Sequence, residues 1–488
     1  MQSWDDERTR RQLIKTAGVV GSALALELGS APRAQAAEED EGRGVTRLLA
    51  EFVVDSKPED VPQAPRAEAV RSVLNYVGCA VGGSPHETTD RAVAALSPFF
   101  GPEQGTLLGR RERADILHAA LLNGMASHVL DFDDTQLSTI IHPAGPVLSA
   151  ILPLAEMKGL DGRALLHAFV LGVEVECRVG KCVYPSHYAA GWHITGTAGV
   201  FGAAAAAGKL LGLNAQQMTW ALGIAATQSS GFKEMFGTMC KSFHPGRAAQ
   251  NGLAAALLAA QGFNSTEAAI EAKQGSAYVM ATERDFGEIT RRLGETWEIS
   301  ENAYKPFACG IVIHPIIDAC RQLRNEHQLQ ADDIERVDLR VNPYVLSLTG
   351  KKTPQTGLEA KFSLYHSAAV AILFGAASPK QYTDDVAQDP AVIALRDRVR
   401  AEVDEAITEE QAEATITLKS GAKLHKRIEH AVGSSENPLS NVDLETKFRD
   451  LAAGVLPEAK ITRLIDLCWK VESLNDVTEL TNAAARSA

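Results

Sequence analysis

Apolar residues recur every three to four positions over residues 45–53, 67–78, 90–96, 114–128, 147–158, 162–180 and 198–211. That is the period of helices with one buried face. Short Gly, Pro and Asp breaks separate the runs, as at Gly82-Gly83-Ser84-Pro85, at 159–162 and at Gly212. Alanine and glycine crowd the stretches AGVFGAAAAAGKLLG and NGLAAALLAAQG, and side chains that small let helices approach closely. The pattern predicts an all-helical domain over residues 37–303. Near Tyr304 the texture changes. Residues 335–341 (ERVDLRV) alternate as a strand does, and 414–418 with 423–427 predict a hairpin turning at Ser420-Gly421. Residues 361–375 between them read as helix. Residues 304–432 are therefore expected to form a smaller α+β lid domain. After a loop at 433–439, Ser440 is placed to cap one helix and 461–474 supply another. The segment 433–488 is expected to pack back on the helical domain, with its last residues, TELTNAAARSA, frayed. The fold class is mainly α.

Charge narrows the partners. A net charge of −13 over 488 residues argues against nucleic acid, since phosphate binding needs a basic face. It leaves room for a small anion, which a local cluster of Lys, Arg and His can hold. The seven cysteines are scattered without a CxxC pair, so no zinc knuckle or iron–sulfur run is indicated, and most are expected to be buried thiols. No G-x-G-x-x-G follows a strand and no GKS or GKT loop occurs, so a nucleotide site has no support.

The first 36 residues read as an export signal. Thr9-Arg10-Arg11-Gln12-Leu13-Ile14-Lys15 is similar to a twin-arginine motif, a short apolar stretch follows, and Ala34-Gln35-Ala36 offers a cleavage site. A mature chain beginning at Ala37 would be periplasmic and would carry no membrane span. The alternative is a cytoplasmic protein with an N-terminal extension.

Four segments carry candidate chemistry. In HVLDFDDTQLSTIIH, His128, Asp131, Asp133, Asp134, Thr135 and His142 crowd together between two apolar runs. Capping aspartates are the plain reading; a polar pocket in a helical body is the functional one. In GWHITGTAG, His193 stands just before a helix start whose free N–H groups can meet an anion. In GTMCKSFHPGRAAQNG, Lys241, His244 and Arg247 are three residues apart. They would share a face if the segment were helical, and they suit a substrate with several carboxylates. Pro245-Gly246 make a turn there equally plausible. In YKPFACGIVIHPIIDA, at the expected domain junction, Lys305 and His314 are the polar groups.

Taken together, DFDDT…HP, GWHITGTAG, K-x-x-HPGRAAQNG, YKPFACG, EAKFSLYH and the closing NPLS…KFRDLA resemble the MmgE/PrpD family over about residues 44–475. That family includes 2-methylcitrate dehydratases, cis-aconitate decarboxylases and iminodisuccinate epimerases. The resemblance implies a helical domain with a smaller α+β lid, a homodimer, and no metal or organic cofactor. It places active-site positions at Asp131, Thr135, His142, His193 and Lys241. Lys305 matches a lysine at the lid entrance of the decarboxylases. Where those decarboxylases have a further histidine this chain has Gly310, and Tyr344 is out of register with a tyrosine of their lid. Both departures weigh against decarboxylation.

Family members work at carbons beside carboxylates, so a base must remove a weakly acidic C–H proton while cations hold the charge that develops. His142 or His193 can be that base. The other histidine, or a lysine, can protonate a departing hydroxyl. Lys241 and Arg247, with His244 and Lys305, would grip carboxylates. Asp131 would orient a histidine or a lysine, and Thr135 would bond a substrate carboxylate. The leading expectation is a cofactor-independent hydro-lyase for a 2-methylcitrate-like di- or tricarboxylic acid. An epimerase of iminodisuccinate type comes next and a decarboxylase third. A non-catalytic periplasmic binder of polycarboxylates is the alternative of another class.

Overall fold

The computed structural model describes residues 44–486, and the expected export signal at 1–36 lies outside them. The centre is built from four helices, Ala144–Lys158, Gly162–Val183, Ile194–Leu211 and Cys240–Ala260. Ile194–Leu211 packs against the other three, and its alanines at 203–207 are wholly buried. A helix apolar on every side belongs inside a core. It is also the one described helix long and apolar enough to cross a membrane, and here 83% of it is enclosed by protein. Around this centre lie Gln63–Gly83 and Ile116–His128, and Asn441–Ala452 packs on Gln63–Gly83.

A second apolar core gathers residues 307–431 with Cys79, Phe132 and Leu451. It lies between the helices His314–His327 and Leu364–Phe374 and a four-stranded sheet. The sheet is made of β5 (Ile334–Val341), β6 (Val399–Val403), β7 (Ala412–Leu418) and β8 (Lys423–Ile428), in the order β6-β5-β7-β8. β5 runs parallel to β6 and antiparallel to β7. Val337, Leu339 and Val341 face the core in strict alternation, while an irregularity between Ile334 and Arg336 brings Ile334 inward too. β7 and β8 form the expected hairpin, with Gly421 at φ +87° supplying the left-handed turn residue. β8 is an outer strand, and its Lys423, Lys426 and Arg427 protect that edge.

Two expectations need correction. The stretch taken as all-helical contains two short ladders, β1 (Gly105–Thr106) with β2 (Arg113–Ala114) and β3 (Asp134–Gln136) with β4 (Asn302–Tyr304). Pairs of two or three residues leave no periodic trace. Residues 478–484 form a helix and are not frayed, because the Gly109 N–H bonds the Ala484 carbonyl (2.9 Å) and Leu480 is buried. Of the two alternatives open at Pro245-Gly246, the helix holds, since both residues lie within Cys240–Ala260.

All seven cysteines are free thiols, Cys177 and Cys182 included, and only Cys240 is exposed. Ser440 caps its helix through a reciprocal pair with Asp443.

Candidate active site

Two helices meet backbone to backbone at Gly124 and Gly246. A Cβ on Gly124 would lie 2.5 Å from the Gly246 Cα, and one on Gly246 would lie 2.3 Å from the Leu121 carbonyl oxygen. Only glycine permits that approach. It carries His128, the last residue of Ile116–His128, to the start of Cys240–Ala260, where Lys241 and His244 are buried.

The loop between His128 and His142 winds through two left-handed residues, Asp131 (φ 51°) and Ile140 (φ 60°). Aspartate accepts this conformation readily. A β-branched residue does so at a cost of about 1–2 kcal/mol, which the surrounding packing must offset. Ile140 is followed by Ile141, wholly buried, and by His142. β3 fixes this loop against β4, so that Asp134 lies opposite Tyr304, the residue before Lys305.

Asp131 is the electrostatic centre. Its carboxylate accepts from Lys241 Nζ at 2.7 Å and forms an ion pair with Lys305 Nζ, all three side chains being buried. Burial alone would raise the Asp131 pKa, but Lys241 and Lys305 together hold it well below the usual range. Burial also works against the charge on Lys305, and Asp131 and Asp133 outweigh it, so that lysine stays an ammonium. Burial lowers the Lys241 pKa, with Asp131 opposing.

Four imidazoles surround this group. His142 Nδ1 lies 2.7 Å from the Asp134 main-chain oxygen, which can only accept. Nδ1 therefore carries the proton and Nε2 is bare. Thr135 Oγ1, at 3.2 Å, supports the same ring nitrogen. His128 Nδ1 donates to Asp133 at 2.7 Å, leaving its own Nε2 buried without a partner. His193 and His244 join Nδ1 to Nδ1 at 2.8 Å, so one ring donates and the other accepts. Ring centroids of His128 lie 4.8 Å from His142 and 5.8 Å from His193. Burial keeps all four neutral: it lowers His142 to about 3, His244 to about 4, and His128 and His193 below the usual value as well.

Asp131, His142, His193, Lys241 and Lys305 line one cavity, together with Tyr188, Gly310 and Phe362. A carboxylate-bearing substrate there would meet one bare imidazole nitrogen and two ammonium groups. Ile140, Ile311 and Val312 separate this cavity from a neighbouring one, and His314 lines only the latter.

Two sequence assignments change. Arg247 is exposed and bonds Gln250, away from the cluster. Steps of three residues drift by about 60° each around a helix, so Lys241 and His244 share a face that Arg247 has left. Thr135 is fully buried and holds the His142 ring, so it is not placed to bond a substrate carboxylate. Tyr344 does not line the cavity; its ring stands 6.4 Å from Tyr188, which does.

Sequence reasoning assigned no role to two buried lysines. Lys361 donates to the main-chain oxygens of Leu130 (2.6 Å) and Ala308 (2.9 Å). Lys447 donates to Asn75 Oδ1 and to the main-chain oxygens of Phe132 and Lys305. Burial lowers each to about 8. The available signal was a single lysine set among core residues, as in Ala360-Lys361-Phe362 and Lys447-Phe448. His128 was noticed within its segment but given no task.

Residues 47–289 match the MmgE/PrpD N-terminal domain model and residues 307–471 the MmgE/PrpD C-terminal domain model. The chain is 25% identical to a cis-aconitate decarboxylase of Aspergillus terreus, over 93% of this chain and 99% of that protein. It is 29% identical to the cis-aconitate decarboxylase of Homo sapiens, over 84% and 88%. With a 2-methylcitrate dehydratase of Salmonella typhimurium the identity is 22%, over 81% and 87%.

Proposed function

Since the chain belongs to the MmgE/PrpD family, we propose that it is a lyase for a tricarboxylic acid and that it eliminates water from a 2-methylcitrate- or citrate-like substrate. The observation that carries this reading is the His142 tautomer. Its Nδ1–H is engaged by the Asp134 carbonyl, so Nε2 is free to take a proton, in a cavity shared with Lys241 and Lys305.

The substrate's carboxylates face the two ammonium groups. His142 Nε2 removes the proton from the carbon beside a carboxylate, and Lys241 and Lys305 stabilise the enolate-like charge that develops. The carbon–oxygen bond at the neighbouring carbon then breaks. Its hydroxyl takes a proton from the Lys241 ammonium and leaves as water, and a carbon–carbon double bond forms. Asp131 keeps the two lysines charged and in place. Neutral imidazoles favour a reaction that begins with proton removal.

A second reading, decarboxylation of a cis-aconitate-like acid, is favoured by the higher identity to the decarboxylases over more of the chain. Here a carbon–carbon bond to a carboxylate breaks, carbon dioxide leaves, and the carbanion takes a proton from the Lys241 or Lys305 ammonium.

Proton NMR in deuterium oxide with 2-methylcitrate, citrate and cis-aconitate separates the two. Loss of water from a hydroxy acid, abolished in His142→Ala, is the expected result. Carbon dioxide release from cis-aconitate with no reaction of the hydroxy acids would establish the second reading. No turnover of any of the three would overturn both.

A further inference from the structure

We propose that His128, His142 and His193 form a binding site for one divalent transition cation of the zinc type, and that this cation inhibits the enzyme. Ligand nitrogens of the three buried rings lie within 4.8 Å of one another. In each ring Nδ1 is already engaged: by Asp133 Oδ2 at 2.7 Å, by the Asp134 carbonyl at 2.7 Å and by His244 Nδ1 at 2.8 Å. Nε2 is therefore the nitrogen each ring offers. An outer carboxylate or carbonyl on the far nitrogen is how proteins orient imidazole for a metal. Tetrahedral zinc with nitrogen at about 2.0–2.1 Å needs ligand separations of about 3.3 Å. Side-chain rotation of the order of an ångström closes the difference.

The bare Nε2 of His128 is the most telling atom. It is buried, makes no hydrogen bond, and has no part in the proposed proton transfers. A cation would satisfy it. The charges facing the site are balanced, because Lys241 and Lys305 are both paired with Asp131, and Asp133 adds a second carboxylate behind His128. Three neutral imidazoles suit zinc, cobalt or nickel better than magnesium or calcium. His142 and His193 line the substrate cavity, so the fourth position of the cation opens toward substrate. Inhibition would arise because the ion takes up the lone pair of His142 that removes the proton; this part rests on the function proposed above.

Cobalt(II) is the probe. Titrating the full chain should give the visible absorption bands of a four- or five-coordinate ion, saturating at one equivalent and displaced by zinc. His128→Asn should abolish the bands and weaken zinc binding at least tenfold. His430→Ala, in the exposed Glu410, His430 and Glu436 group, should leave them unchanged. If His128→Asn fails to fold by circular dichroism, His193→Asn replaces it with the same expectation. Absence of the bands, or bands lost in His430→Ala and kept in His128→Asn, would overturn the cation site. Turnover should fall at least tenfold at one equivalent of zinc and return with EDTA. Cobalt bands with turnover unchanged would keep the cation site, refute inhibition, and remove His142 from the proposed reaction.

Discussion

The ammonium of Lys447 donates to the main-chain carbonyl of Lys305 at 2.8 Å and, with the same nitrogen, to that of Phe132 at 2.5 Å. One side chain from the helix Asn441–Ala452 thus holds both backbone arms that present the Asp131–Lys305 ion pair. Lys447→Met would strip the donor from the Lys305 carbonyl and from Asn75 Oδ1 and leave the Phe132 carbonyl with the Cys79 thiol alone, at about 1–3 kcal/mol for each unsatisfied group. We expect stability to fall by about 2–4 kcal/mol in a urea titration, and kcat to fall at least tenfold with less change in KM. An unchanged kcat in the folded variant would show that the backbone arms hold their positions without Lys447.

Asp131→Asn leaves two ammonium groups buried without their direct partner, with only Asp133 nearby as counter-charge. Breaking a buried pair in this way costs about 3–5 kcal/mol. Adding Lys305→Met to it removes one of the stranded charges and should restore part of the loss. The double-mutant cycle measures the coupling, and strict additivity of the two changes would refute it.

The pH dependence follows from the buried titrating groups. Nine described histidines have lowered pKa values. Five carboxyls, Asp134, Glu174, Glu176, Glu298 and Glu409, are raised. Between pH 6.5 and 5 unfolding lets the histidines take up protons, while the five carboxyls release theirs. The histidines are more numerous, so the unfolded chain binds more protons and stability falls as pH falls. Each net proton contributes about 1.4 kcal/mol per pH unit. A urea midpoint that rises from pH 6.5 to pH 5 would contradict the sign.

Gly246→Ala forces a methyl group against the Leu121 carbonyl at 2.3 Å. The helices must part, at about 1–3 kcal/mol, and His128 moves away from Lys241 with them. A lowered melting temperature together with a lowered kcat is expected. A variant as stable and active as the parent would show that the two backbones are not in contact.

Arg247→Ala should do little, because the side chain is exposed and bonds only Gln250. Its kcat/KM should stay within about twofold of the parent, as surface substitutions away from a site usually do. A tenfold rise in KM would put Arg247 back in contact with substrate.

Local signals were legible in the sequence, and long-range ones were not. ERVDLRV alternates because one face of β5 is buried, and Gly421 and Ser440 mark a turn and a cap through their own chemistry. β6 was missed, since only Val399 of its five residues is buried and alternation barely registers. Lys241 and His193 stood out by composition. Lys447 acquires its role only by meeting carbonyls more than a hundred residues away, and no periodicity records that. Arg247 was misplaced because spacing was read without the helical drift.

The β3–β4 ladder has a consequence for how the protein comes into being. Asp134 must wait for Asn302, 168 residues later, before its strand has a neighbour. Lys447 then ties the finished arms from near the end of the chain. A ribosome will have made most of the polypeptide before this loop can settle, so no product that stops short of Lys447 holds the finished arms. Contacts this distant in sequence also slow folding. Until Lys447 is in place, the histidines belong to a chain whose cluster is unfinished.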